Sequence, residues 1–114
     1  MSVRTEKVAS LIREEVSLIL QRDYGEESDA IITVTDVRMS ADLRIAKVYV
    51  SIFGSQEVKD HTLKMLEGNK KGIRSLMGSR IRLKFTPELH FFLDDTLDRV
   101  ETINNLIKRI HNER

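Results

Sequence analysis

Apolar positions open the chain at three- and four-residue spacings. Val8, Leu11, Ile12, Val16, Ile19 and Leu20 fall on one face of a helix, and charged residues fill the opposite face. The pattern fades after Arg22. Tyr24-Gly25 begins a polar connection running to Asp29, with Gly25 placed as a C-terminal cap. The period then shortens to two. Ile32 and Val34 alternate with threonines, and the alternation slips near Asp36, after which Val37 and Met39 continue it on the other parity. One extra residue in a strand produces such a slip, so a β-bulge is expected there. Ser40-Ala41-Asp42 reads as a turn. Ala46, Val48, Val50 and Ile52 then face one way while Lys47, Tyr49 and Ser51 face the other, which completes a hairpin.

Gly54-Ser55 breaks the second strand. Helical spacing returns with Val58, Thr62, Met65 and Leu66, and again with Ile73, Leu76, Met77 and Ile81. Between them lies Gly68-Asn69-Lys70-Lys71-Gly72. Each glycine costs a helix about 1 kcal/mol against alanine, so the pattern predicts two helices with a kink or short turn over 68–72. Leu83, Phe85, Leu89 and Phe91 share one parity and predict a third strand, with Lys84, Thr86, Glu88 and His90 alternating between them. Pro87 lacks an N–H and belongs at an edge or an unpaired point of that strand. Asp94-Asp95-Thr96 supplies N-cap chemistry for a final helix carrying Leu97, Val100, Ile103, Ile107 and Ile110 on one stripe. The expected architecture is α+β, in the order α–β–β–α–α–β–α. A small three-stranded sheet carries helices on one face and leaves the other partly open. No repeat, low-complexity segment or long linker divides the chain, so residues 1–114 read as a single domain.

Composition removes several function classes. Hydrophobic residues make up 40% and charged residues 32% of the 114, which leaves enough apolar side chains for one core and argues against a disordered chain. The absence of cysteine excludes a disulfide framework, a thiolate metal site and a cysteine nucleophile. No apolar run approaches the roughly 20 residues of a membrane span. Met1-Ser2-Val3-Arg4-Thr5-Glu6 has no apolar stretch of the signal-peptide kind. The cytosol is the expected compartment, with no membrane partner.

Charge changes the picture more than its sum suggests. The net charge is +1, yet residues 64–84 hold seven basic side chains (Lys64, Lys70, Lys71, Arg74, Arg80, Arg82 and Lys84) against Glu67 alone. Such a stripe on a nearly neutral domain is the footprint of a polyanion partner, and equally the mark of a solvated helix face. Other chemistry is sparse. His61, His90 and His111 sit on three different elements, none with a second ligand at metal spacing, so no metal or other cofactor is expected. Asp94, Asp95 and Asp98 are better explained by capping and the helix dipole than by acid–base work. No GxSxG elbow, P-loop or GxGxxG occurs, and no nucleophile–base pair is evident, so no catalytic residue is assigned and no enzyme is expected.

The basic stretch contains the helix break. Lys70, Lys71 and Arg74 flank it. Glycines there let a phosphate backbone approach, and the following helix N-terminus presents free N–H groups. Arg80, Arg82 and Lys84 extend the stripe towards the third strand. Contacts of this kind position nucleic acid without reading its bases. Tyr49 and Phe92 are the outward-facing rings of the pattern, too few for an RRM-like stacking platform. The order α–β–β–α–α–β with a basic break between two helices resembles the type II KH module.

Specific residues narrow this further. Asp36-Val37-Arg38-Met39-Ser40-Ala41-Asp42-Leu43-Arg44-Ile45-Ala46-Lys47-Val48-Tyr49-Val50-Ser51 resembles the hairpin signature of the bacterial ribosome-binding factor A family. So do Ile73-Arg74-Ser75-Leu76-Met77-Gly78 and Arg82-Leu83-Lys84-Phe85-Thr86-Pro87-Glu88-Leu89-His90-Phe91. Arg4-Thr5-Glu6-Lys7-Val8-Ala9 and Asp94-Asp95-Thr96 fit as well, so the resemblance spans nearly the whole chain. It implies a type II KH-like fold and no enzymatic activity. It also implies binding to the small (30S) ribosomal subunit near the neck and the 3′ region of 16S rRNA. Late subunit maturation and 16S rRNA processing follow from it, with a role in the cold beside an assembly GTPase. One departure stands out. Family members carry an Ala-x-Gly kink two residues before the Ile-Arg pair. Here those places read Asn69, Lys70 and Lys71, and glycine follows at Gly72. Carried over by position, Lys70, Lys71, Arg74, Arg80, Arg82 and Lys84 are the expected rRNA contacts, with Arg4, Lys7, Arg44 and Lys47 in second rank. A monomer is expected. Two other readings stay open: a protein-interaction module using the open sheet face or the C-terminal helix, with the lysines merely solvating, and a small hydrolase.

Overall fold

The computed structural model describes residues 3–24 and 31–94. Its elements are α1 (Val3–Asp23), β1 (Ile31–Met39), β2 (Ile45–Phe53), α2 (Gln56–Gly68), α3 (Lys70–Arg80) and β3 (Glu88–Leu93). The expected order α–β–β–α–α–β is present. The final helix, the Gly25 cap, Asp95-Thr96, Asp98 and His111 lie outside the described residues.

The sheet runs β1-β2-β3, antiparallel between β1 and β2 and parallel between β2 and β3. Its ladder slips between Val34 and Asp36, where Val34 pairs with Val50 and Asp36 with Tyr49, so Thr35 is the extra residue of the expected bulge. The Thr35 hydroxyl donates to Asp94 Oδ2 at 2.6 Å, tying the bulge to the chain just past β3. The hairpin turn is held by its own polar side chains. Asp42 Oδ1 accepts from the Ser40 hydroxyl at 2.6 Å and from the Arg44 N–H at 3.1 Å, and these bonds hold its carboxyl below the ordinary range. Leu43 takes φ 61° in this turn. That conformation costs a leucine roughly 1–2 kcal/mol, which its packing against the core offsets. At the far end of β2, Gly54 turns the chain into α2 with φ +151°, and a Cβ there would stand 2.8 Å from Val58 Cγ1.

All three helices pack on one face of the sheet. Ile12, Val16 and Ile19 of α1, Leu66 of α2, and Ile73 and Met77 of α3 meet Ala46, Val48, Val50 and Leu89 in one buried cluster. Two expectations fail at its margins. Leu11 is 48% exposed, because Thr5 with Val8, Ile12 and Val16 forms the true stripe and Leu11 falls at its edge. The third strand begins at Glu88 rather than Leu83. Pro87 has no N–H to give a ladder, and the Thr86 and Pro87 carbonyls accept from Arg74 instead. Residues 81–87 therefore cross irregularly from α3 to β3, and Phe85 leaves the buried parity to stand 59% exposed. The Glu88 N–H opens the ladder with a 2.8 Å bond to the Arg44 carbonyl.

Candidate nucleic-acid interface

The expected break between the two middle helices is a single residue, Asn69, with φ −105° and ψ 6°. Its N–H bonds the Met65 and Leu66 carbonyls at 3.1 and 3.2 Å, and its side-chain Nδ2 donates to Met65 O at 2.7 Å. Asn69 thus terminates α2 with its side chain and leaves the N-terminus of α3 without a side-chain cap. This asymmetry does the work that a glycine kink would do. Gly68 faces open space, so its surroundings do not demand a glycine. Gly72 faces the hydroxyl of Tyr24, the residue just past α1, where a Cβ would stand at 3.4 Å, rather than an open approach.

The fold sorts the ten expected basic residues into three groups. Lys71, Arg74 and Lys84 line one open cleft of about 540 Å³, together with Ser75, Gly78, Phe85 and Thr86. Lys84 and Arg4 also border an adjoining cavity of about 250 Å³ walled by Val8, Leu43, Leu83 and Phe85. Arg44 approaches the same place, its guanidinium 5.5 Å from the Phe85 ring centre. Arg82, exposed, lies on the connecting segment that forms these walls. Arg4, Arg44, Lys71, Arg74 and Lys84 thus meet around Phe85, with Arg82 their neighbour on the same connecting segment.

Lys70 and Arg80 are engaged elsewhere. Lys70 Nζ donates to Glu67 Oε2 at 3.1 Å. Arg80 Nε stands 3.4 Å from Glu15 Oε1 on α1, a buried oxygen that accepts no hydrogen bond. The Arg80 guanidinium therefore faces a buried carboxylate oxygen, while its own side chain stays 40% exposed. Arg74 does double duty, since the bonds that fix its guanidinium to Thr86 and Pro87 (Nη2–O 2.8 Å, Nε–O 3.1 Å) use part of its donor fork. Lys7 and Lys47 lie apart. Lys7 lines a shallow hollow with Val3, Glu6 and Leu11 on the outer face of α1. Lys47 projects from the open sheet face, in register with Arg38 and His90.

Periodicity alone does not reveal Glu67. Its Oε1 accepts the Phe91 N–H at 2.7 Å, so one carboxylate joins α2, the start of α3 and β3. Burial is the largest single influence and raises its pKa, but the Phe91 N–H, Lys70 and His90 together outweigh it and hold the carboxyl below its ordinary value. A carboxylate of lowered pKa stabilises the fold fully above the unfolded value of about 4.5, and that contribution is lost as pH falls through the folded value. Glu67→Gln keeps an acceptor and removes the charge. Melting curves from neutral pH downwards should show the native protein more stable than this variant near pH 7, with the gap closing below the ordinary carboxylate range. A gap constant at all pH values would show that the charge is idle.

Among the described residues there is no group of three or more metal-ligating side chains and no helix long and apolar enough to cross a membrane. His90 has Glu88 at 3.5 Å, and His61 is exposed. On the open sheet face Tyr49 and Phe92 stack on each other, with ring centres 5.6 Å apart, and Arg38 lies over Tyr49.

Comparison with known proteins places this arrangement. The sequence model of the family described as ribosome-binding factor A matches residues 4–107. The ribosome-binding factor A of Chlorobium phaeobacteroides is 41% identical over 116 residues, covering 100% of this chain and 99% of that one. A solution structure of a Thermotoga maritima protein titled as a ribosome binding factor A superposes with TM-score 0.67 at 27% identity, over 81% of this chain and 88% of its own. The fold also matches a homology model of Thermus thermophilus ribosome binding factor A fitted into the cryo-EM map of a 30S complex. That match has TM-score 0.64 at 22% identity, over 75% of this chain and 90% of that one. The family model spans most of the chain and the similarity to the Chlorobium protein runs its full length, so this chain belongs to the ribosome-binding factor A family.

Proposed function

We propose that this protein binds the free small ribosomal subunit through its 16S rRNA, without chemistry of its own, and assists late maturation of that subunit. The carrying observation is the cleft where Lys71, Arg74 and Lys84 converge beside the uncapped start of α3. Three cations around an open, mostly polar hollow suit a phosphodiester backbone. The family's name and the 30S complex of its Thermus thermophilus relative support the partner. The mechanism is one of holding. A factor that binds one conformation of an rRNA junction better than another shifts the population towards it, by no more than its differential affinity. The same reading takes residues 1–114 as one RNA-binding domain acting as a cytoplasmic monomer. It includes 16S rRNA processing, activity in the cold and work beside an assembly GTPase.

Co-sedimentation with purified small subunits, large subunits and assembled ribosomes across a salt series tests this. The expected result is selective small-subunit binding that weakens steeply as salt rises. Binding indifferent to salt would favour the alternative, a protein partner on the open sheet face, where Ile45, Tyr49 and Phe92 lie.

A further inference from the structure

We propose that Phe85 is a stacking site for one unpaired nucleobase, with the adjoining phosphates held in the cleft of Lys71 and Lys84. The inference rests on the RNA-binding reading and adds a base contact to what is otherwise a backbone-positioning surface. Three observations carry it.

The ring stands on fixed backbone. Arg74 holds the Thr86 and Pro87 carbonyls, Pro87 is fully buried, and Thr86 packs so closely on α3 that a Cβ at Gly78 would lie 2.9 Å from its Oγ1. A side chain presented from such a segment loses little freedom on binding. The ring is also exposed, with two cations close over it. It is 59% exposed, with Arg44 5.5 Å and Lys84 5.7 Å from its centre. Finally, it forms the shared wall between the cleft of about 540 Å³ and the cavity of about 250 Å³, whose lining of Val8, Leu43 and Leu83 is mostly apolar. A planar, weakly polar group finds apolar walls beside the ring, with cations for its phosphates close by.

The other exposed rings lack this combination. Phe92 stacks with Tyr49 on the opposite sheet face, and among the described residues no cation lies over Phe53 at the end of β2. An apolar protein anchor would sit badly among Arg4, Arg44, Lys71, Arg74 and Lys84, with Asp42 the one acid among the described residues lining the two hollows. A base within a duplex has both faces covered, so only a splayed base can use the site. Stacking of this kind is tolerant of base identity.

The test uses the full chain with two probes, a short oligoadenylate carrying 2-aminopurine and inorganic polyphosphate, which has charge but no bases. Phe85→Leu is expected to weaken oligoadenylate binding roughly 5- to 100-fold and to abolish quenching of the 2-aminopurine, with polyphosphate affinity unchanged. Phe85→Tyr should retain both. Thermal melts of the variants should match the parent, because the ring is largely outside the core. Oligoadenylate binding by Phe85→Leu within twofold of the parent would overturn the proposal and leave the RNA-binding reading standing. So would loss of small-subunit co-sedimentation by this variant with oligoadenylate binding intact, since that outcome makes the ring a protein anchor. If the parent binds neither the oligoadenylate nor the small subunit, both readings fall.

Discussion

Changing Lys71, Arg82 and Lys84 together to glutamine should weaken small-subunit binding about tenfold or more at moderate salt and flatten its salt dependence by about two to three units of slope. Each lysine or arginine that neutralises a phosphate releases a condensed counterion, and the slope of affinity against salt counts those releases. These three side chains are exposed and make no hydrogen bond among the described residues, so the melting temperature should stay where it is. Co-sedimentation at several salt concentrations, beside a thermal melt of each sample, reads both quantities. A variant that binds like the parent with an unchanged slope would remove this end of the molecule from the interface. Glutamine at Lys7 and Lys47, which project elsewhere, should leave the slope within one unit of the parent.

Ile73→Ala should lower stability by about 3 kcal/mol, the largest such loss expected of a single change in α3. Ile73 is completely buried at the first turn of that helix, and a cavity there loosens the helix whose start flanks the cleft. Its neighbour Arg74 should behave as a weaker version of the same kind of residue. Arg74→Ala releases the Thr86 and Pro87 carbonyls, at a cost of about 1–2 kcal/mol given their partial exposure. Lysine should not rescue it, because a single ammonium cannot reproduce the planar fork. Denaturant melts measure these changes. Equal binding affinity per folded molecule for Ile73→Ala and the parent would confirm that its effect passes through folding. A loss at Arg74→Ala larger than at Ile73→Ala would mean that residues 81–87 matter more to the fold than the core beneath them.

Much of the fold was legible because burial imposes periodicity. The shift from helical spacing to alternation located α1, the hairpin and the helix pair, and the broken parity at Asp36 marked a bulge whose extra residue is Thr35. The third strand was misjudged for a definite reason. Alternation continues through Leu83 and Phe85, but Pro87 stops the ladder, and the ring that parity would bury is exposed. The proline two residues after Phe85 was the available signal. The interface was legible as a stretch and not as a surface. Sequence proximity grouped Lys70 and Arg80 with Lys71, whereas the fold turns one to Glu67 and the other to Glu15, more than sixty residues away in the chain. The fold also brings Arg4 and Arg44, named from the sequence on distant elements, to the same hollow as Lys84 and Phe85. Pairings of this length follow from packing, which no local pattern encodes.

Glu67 has a consequence beyond its ion pair. β3 is an edge strand, and its residues alternate between bonds to β2 and an outward row: the Glu88 and Asp94 N–H groups reach Arg44 and Val50, so the Phe91 N–H faces away from the sheet. An unclaimed N–H in that row would be a template on which a second molecule could add a strand. The carboxylate from α2 occupies the middle of the row and places negative charge where an incoming strand would bring its carbonyls. The residue that joins the helices to the sheet thus also blocks the middle of the outward row of β3 against an added strand.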